Sequence, residues 1–173
     1  MLLSDGASLS RFAKAFAGIA ILGVVAGCQV RPLYSTPAGT EGKLAAVAIS
    51  KADDRVEQQV RNDLIFLFSG GGETQSALYQ LELNVTVRKI GVLLDVRDDI
   101  ARAGRIVVSA DYNLVRTDSG ETLASGKRSA VALVDYPVQE FAKLRAVRDA
   151  ENRGARELAE LIRADVASAL GRR

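Results

Sequence analysis

The chain has 173 residues, with 23 basic against 21 acidic side chains for a net charge of +2, and 48% hydrophobic residues, few of them aromatic. It has no histidine and a single cysteine, which excludes zinc sites built on those ligands and the Ser-His and Cys-His pairs of nucleophilic hydrolases. The near balance of charge excludes bulk binding of nucleic acid, and the scarcity of aromatics leaves the core to small aliphatic side chains.

In chain order, the first stretch that carries chemistry is Ala15 to Cys28, AFAGIAILGVVAGC. Arg11 and Lys14 precede it, and no acid separates them from Cys28. A basic flank, an apolar run of about a dozen residues and small residues at the end make a secretory signal. The run is short of the roughly 20 apolar residues that a membrane span needs. Its last four residues, Val25-Ala26-Gly27-Cys28, resemble a bacterial lipobox. The small residues let a peptidase approach the backbone, and the thiolate is the soft nucleophile that takes up a diacylglyceryl group. Cys28 is therefore the expected lipid-attachment site, at the new N-terminus and carrying acyl chains such as palmitate. One chain alone holds marginally, so a stable anchor takes two or more. No cysteine follows Cys28, so the exported domain has to hold together without a disulfide.

Residues 28 to 43, CQVRPLYSTPAGTEGK, contain two prolines and two glycines and read as an extended tether. Leu44 to Ser50 is a short apolar run suited to a buried strand. Asp54 is placed to cap a helix, with Glu57 three residues on as in a capping box. Val56, Val60, Leu64 and Leu67 or Phe68 then share one face, until Ser69-Gly70-Gly71-Gly72 ends the helix. Tyr79 to Val87 alternates, with Leu81, Leu83, Val85 and Val87 on one side and Gln80, Glu82, Asn84 and Thr86 on the other.

Arg88 to Arg105 is open between a continued strand, a turn and a long loop. Ile106 to Arg116 alternates again, Asp118-Ser119-Gly120-Glu121 signals a turn, and Thr122 to Val134 returns to pair as a hairpin. Pro137 suits the first turn of a helix that runs from Val138 to about Leu170. Phe141, Leu144 and Val147 mark one stripe, continued by Ala155, Leu158, Ile162, Val166 and Ala169. Gly154 is a possible bend. Asp149 with Arg153, Arg153 with Glu157, and Arg156 with Glu160 are spaced as ionic pairs.

These elements predict an α+β fold: a four-stranded, mostly antiparallel or mixed sheet with two helices packed on one face, in the order β-α-β-β-β-α. The expected organisation is a signal peptide over 1–27, a lipid-anchored tether over 28–43 and a single domain over 44–173. The paired acids Asp53-Asp54 and Asp98-Asp99 are the formal candidates for carboxylate catalysis, but a helix start and a turn account for them, and no enzyme is expected.

The residues Cys28-Gln29-Val30-Arg31-Pro32-Leu33-Tyr34 are similar to the mature N-terminus of the lipopolysaccharide-assembly lipoproteins, the LptE family. The helix with Asp149-Ala150-Glu151-Asn152-Arg153 and Arg156-Glu157-Leu158-Ala159-Glu160-Leu161-Ile162-Arg163 looks like the alphaproteobacterial branch of that family. The resemblance implies a non-catalytic lipoprotein on the periplasmic face of the outer membrane. It would plug the lumen of a large β-barrel, LptD, and serve lipopolysaccharide delivery, with no cofactor, no metal and no nucleic-acid partner. A porin-like lumen is polar, which suits the polar sides of the two alternating strands. Lipopolysaccharide carries phosphates or other acids, for which Arg offers forked donors. Arg88, Lys89, Arg97, Arg102, Arg105, Lys127 and Arg128 are the basic residues expected to meet it. Lys127-Arg128 would send one charge to each face of its strand. A second reading stays open, a periplasmic lipoprotein that binds a small ligand or an envelope component in an apolar pocket.

Overall fold

The structure is a computed structural model that describes residues 39–72, 74, 76–94 and 101–172. The signal stretch, the lipobox with Cys28, and Arg97, Asp98 and Asp99 lie outside the described residues. The elements in chain order are α1 (Thr40–Ala45), β1 (Val47–Ile49), α2 (Arg55–Ser69), β2 (Tyr79–Leu94), β3 (Ala101–Arg116), β4 (Thr122–Asp135) and α3 (Glu140–Gly171). The four strands lie in sequence order in one sheet. β1 runs parallel to β2, and β2, β3 and β4 are antiparallel neighbours. The expected mixed sheet with helices is therefore present, with one extra short helix at its start.

Alternation sets the two faces of the sheet. Leu81 and Val85 on β2, Ile106, Val108, Ala110, Tyr112 and Leu114 on β3, and Ala130, Ala132 and Val134 on β4 are all buried. Their register aligns them in cross-strand rows, such as Lys89–Ile106–Ala132 and Val85–Ala110–Arg128. This is the face that α3 covers. Small residues bring helix and sheet close: a Cβ added at Gly154 would lie 2.8 Å from Val108 Cγ2 and 4.0 Å from Ala132 Cβ. Gly154 is thus a contact point on the sheet, where the sequence suggested a bend.

The helix α2 starts as its sequence indicates. Asp54 Oδ1 accepts from the amides of Val56 at 2.7 Å and Glu57 at 2.9 Å. The Glu57 carboxylate accepts from the Asp53 amide at 2.9 Å, one residue earlier than the standard box. Val56, Val60, Leu64 and Phe68 are buried. Gly70 stops the helix in the left-handed region, φ 71°, donating to the Phe66 carbonyl.

Several expectations are corrected. Leu44 to Ser50 is not one strand: Leu44 and Ala45 close α1, and only Val47–Ile49 pairs. α1 itself begins at Thr40, inside the stretch read as tether, and both Thr40 and Leu44 are buried. The open region resolves in part, since β2 runs on to Leu94 and β3 starts at Ala101. Pro137 precedes the helix cap at Gln139 and does not occupy the first turn. The Tyr136 amide still bonds to the Arg102 carbonyl at 2.8 Å, so the chain needs the next residues to leave the sheet. Of the three ionic pairs, Asp149 with Arg153 forms at 2.9 Å, while Glu160 pairs with Arg163 at 3.6 Å.

Phe141 and Leu144 share the phase of the buried stripe of α3 but are 84% and 58% exposed, against the sequence expectation. The helical phase is right and the partner is missing. Gly154 touches Val108, and Arg153 reaches the Leu133 carbonyl at 3.0 Å, which fixes the sheet side of α3. Glu151 and Asn152 reach Arg55, which fixes the α2 side. At about 100° per residue, Phe141, Leu144 and Arg148 fall in line with the buried Ala155, Ile162 and Val166 on the α2 side. α2 begins at Arg55, level with Glu151, so the first turns of α3 run past it.

Candidate functional site: the bare face of the sheet

The face of β2, β3 and β4 turned away from the helices carries no layer among the described residues, and its side chains form rows set by the register. From one end of the sheet to the other these are Ile90–Arg105–Leu133, Arg88–Val107–Val131, Thr86–Ser109–Ser129, Asn84–Asp111–Lys127 and Glu82–Asn113–Ser125. The composition grades from apolar and cationic, through hydroxyls, to mixed charges and amides. Leu133 is 70% exposed and Val131 50%; Leu133 lies directly across from Arg105 and Val131 diagonally from it, while Arg88 stands one strand farther on.

Of the seven basic candidates, Arg97 lies outside the described residues, and the other six separate sharply. Arg88 pairs with Val107 and Arg105 with Ile90 in the β2–β3 ladder, so the two arginines are diagonal neighbours, a spacing of about 7–8 Å or less. Both are exposed, and neither has an acidic partner among the described residues. Lys127 shares the face, but its ammonium lies 2.9 Å from Asp111 across the strand pair.

The others turn the opposite way. Lys89 binds Glu151 of α3 at 3.0 Å, and Arg55 of α2 binds the other oxygen of the same carboxylate. Arg128 makes a forked pair with Asp165, Nε to Oδ2 at 2.7 Å and Nη2 to Oδ1 at 2.8 Å. The Tyr112 hydroxyl donates to the same Oδ2 at 2.7 Å. The arginine holds the Asp165 carboxyl below the usual carboxylate range. Burial, with the Asp165 bond, pushes the Tyr112 phenol up to about 12, and Asp165 raises the Arg128 guanidinium in turn. Arg102 is half-buried and engaged. Lys127 and Arg128 do send one charge to each face, as alternation requires, and each charge is met.

Sequence reasoning had no access to this division. Glu151, Asp165 and Asp111 are ordinary acids in the sequence, and only the register and the lie of α3 bring them to Lys89, Arg128 and Lys127. The apolar neighbours Val131 and Leu133 were legible as members of a strand, but their exposure was not.

Elsewhere, a cleft of about 340 Å³ lies between the start of β2 and the end of β3, lined by Ala77, Leu78, Tyr79, Arg116, Thr117 and Asp118. A smaller one of about 130 Å³ lies beside β1. Among the described residues no group of three or more acidic, histidine or cysteine side chains is placed to hold a metal. No helix among them is long and apolar enough to cross a membrane.

Comparison with known proteins adds a family. The profile of the family described as LptE, lipopolysaccharide-assembly, matches residues 44–166. Among solved structures, a lipoprotein candidate from Caulobacter crescentus CB15 is similar with a TM-score of 0.67 at 23% identity, over 79% of this chain and 98% of the other. Rare lipoprotein B from Shewanella oneidensis is similar with a TM-score of 0.50 at 13% identity, over 70% of this chain and 92% of the other. At these identities the two structures bear on the fold alone. No curated protein sequence matches the chain.

Proposed function

The chain belongs to the LptE family of lipopolysaccharide-assembly proteins, and on that premise we propose that it is a non-catalytic lipoprotein of the outer membrane. Acylated Cys28 holds it to the periplasmic face, and the domain plugs and supports an LptD-type β-barrel that delivers lipopolysaccharide to the cell surface. The observation that carries the reading is Arg88 and Arg105 on the bare face, exposed and without an acidic partner among the described residues, with exposed Val131 and Leu133 on the strand beside Arg105. An anionic lipid with a sugar headgroup offers phosphates to the forked donors and apolar surface to the aliphatic rows. The lower rows of hydroxyls and amides suit the polar wall of a lumen.

Lys89, Lys127 and Arg128 are held in the domain's own ion pairs, which leaves Arg88 and Arg105 as the first contacts proposed for the glycolipid. Gln29 after the cysteine is not aspartate, which by resemblance to enterobacterial lipoproteins permits transfer to the outer membrane. Two experiments test the reading. Cys28→Ala should release the protein from membranes. A gentle detergent pull-down of the lipidated protein should yield a large outer-membrane β-barrel, and recovery without any barrel defeats the plug. The cleft beside Leu78 and Tyr79 has room for a small molecule and keeps the second reading, a ligand-binding periplasmic lipoprotein, as the outcome then favoured.

A further inference from the structure

The first turns of α3 present a face that the fold leaves uncovered. Phe141 and Leu144 continue the side of α3 that packs on α2 farther along, and Val138 stands exposed just ahead of the helix. Arg145 and Arg148 flank them, both exposed and both without an acidic partner among the described residues. The nearby acid Glu140 is met by Lys143 at 3.8 Å. This face belongs to the helical layer, on the opposite side of the sheet from Arg88 and Arg105.

From this we infer that the start of α3 is a second docking surface, and that its occupant is an anionic phospholipid surface. The charge complementarity is direct. Two guanidiniums with no counter-ion among the described residues call for phosphates, and the three protruding apolar side chains call for the acyl boundary below them. Arginine can keep its head among phosphates while its stem lies on apolar surface. A helical face that combines Phe and Leu with unpaired Arg is the pattern of an interfacial helix. The contact is a reversible one that adds to an anchor; it does not replace it. A second copy of the chain is disfavoured, since it would set like charges against each other.

The test uses the intact chain reconstituted into vesicles free of lipopolysaccharide and of β-barrel protein, one set containing phosphatidylglycerol and one of phosphatidylcholine alone. Amide hydrogen exchange over residues 139–149 should slow by about fivefold or more on the anionic vesicles only. Phe141→Ser with Leu144→Ser should abolish the effect, and so should Arg145→Glu with Arg148→Glu. Because these side chains are exposed, thermal unfolding of the variants should match the parent. Arg88→Ala with Arg105→Ala should leave the protection unchanged, which separates this inference from the glycolipid reading. Equal protection on both vesicle sets, or none, overturns it. So does protection that appears only when a β-barrel protein is added, which would assign the face to a protein partner.

Discussion

Arg128 and Asp165 face each other across the gap between β4 and α3 in a two-pronged pair, 2.7 and 2.8 Å, with the Tyr112 hydroxyl on one of the same oxygens. The geometry ties the last third of α3 to both strands of the β3–β4 hairpin. It also removes Arg128 from the surface charges open to a ligand.

The pair makes stability depend on pH at both extremes. Asp165 is held below its ordinary 3.8 mainly by the bond from Arg128. Its folded form thus binds the proton less readily than the unfolded chain, and the stability it adds is present above that value and lost as pH falls through the depressed pKa. Tyr112 is raised from 10.0 to about 12. Its contribution is complete below pH 10.0 and is lost as pH rises toward about 12. Unfolding midpoints measured against pH should fall at both ends, Asp165→Asn should flatten the acid limb, and Tyr112→Phe should flatten the alkaline one.

Gly154 offers a test of the close approach between α3 and the sheet. In a free helix, Gly→Ala gains roughly 1 kcal/mol. Here the added methyl meets Val108 Cγ2 at 2.8 Å, and a buried β-branched side chain has little room to turn. Overpacking costs about 1–3 kcal/mol, so Gly154→Ala should destabilise on balance. Combined with Val108→Ala, the clash is relieved, and denaturant titration should show the two changes to be strongly non-additive.

Glu151 joins three elements, taking Arg55 from α2 and Lys89 from β2 while its own side chain is 10% exposed. Glu151→Ala leaves two cations facing each other with no counter-ion. Both cations are about half in solvent and Arg55 keeps Asn152, so the expected loss is about 1 kcal/mol in equilibrium unfolding, with Lys89→Ala milder.

Arg88 and Arg105 should behave oppositely. With no acidic partner among the described residues, the double change to alanine should move stability by no more than about 0.5 kcal/mol. The same change should weaken binding of purified lipopolysaccharide and reduce the salt sensitivity of what remains. Unchanged binding, with stability also unchanged, would return both residues to ordinary surface charge.

Burying Leu158 or Ile162, both fully enclosed, is worth about 1.5–3 kcal/mol each, more than exposed pairs such as Lys127 with Asp111, whose ordinary range is about 0–1 kcal/mol. Leu158→Ala should cost about 2–5 kcal/mol by the same titration, whereas Lys127→Ala should cost little.

Local pattern alone determined the strands of the hairpin, the Asp54 cap, the Gly70 stop and the buried stripe of α3 beyond Ala150. Each is written in spacing, which a strand or helix reads at fixed periods of 2 and 3.6 residues. The separation of the six described basic candidates, into those with and those without a partner among the described residues, was decided by tertiary structure. An ion pair between Lys89 and Glu151, or Arg128 and Asp165, joins residues far apart in the chain and leaves no trace in either neighbourhood. The exposure of Phe141 and Leu144 was decided the same way. Their phase on α3 is that of a core residue, and the point at which α2 begins leaves them exposed.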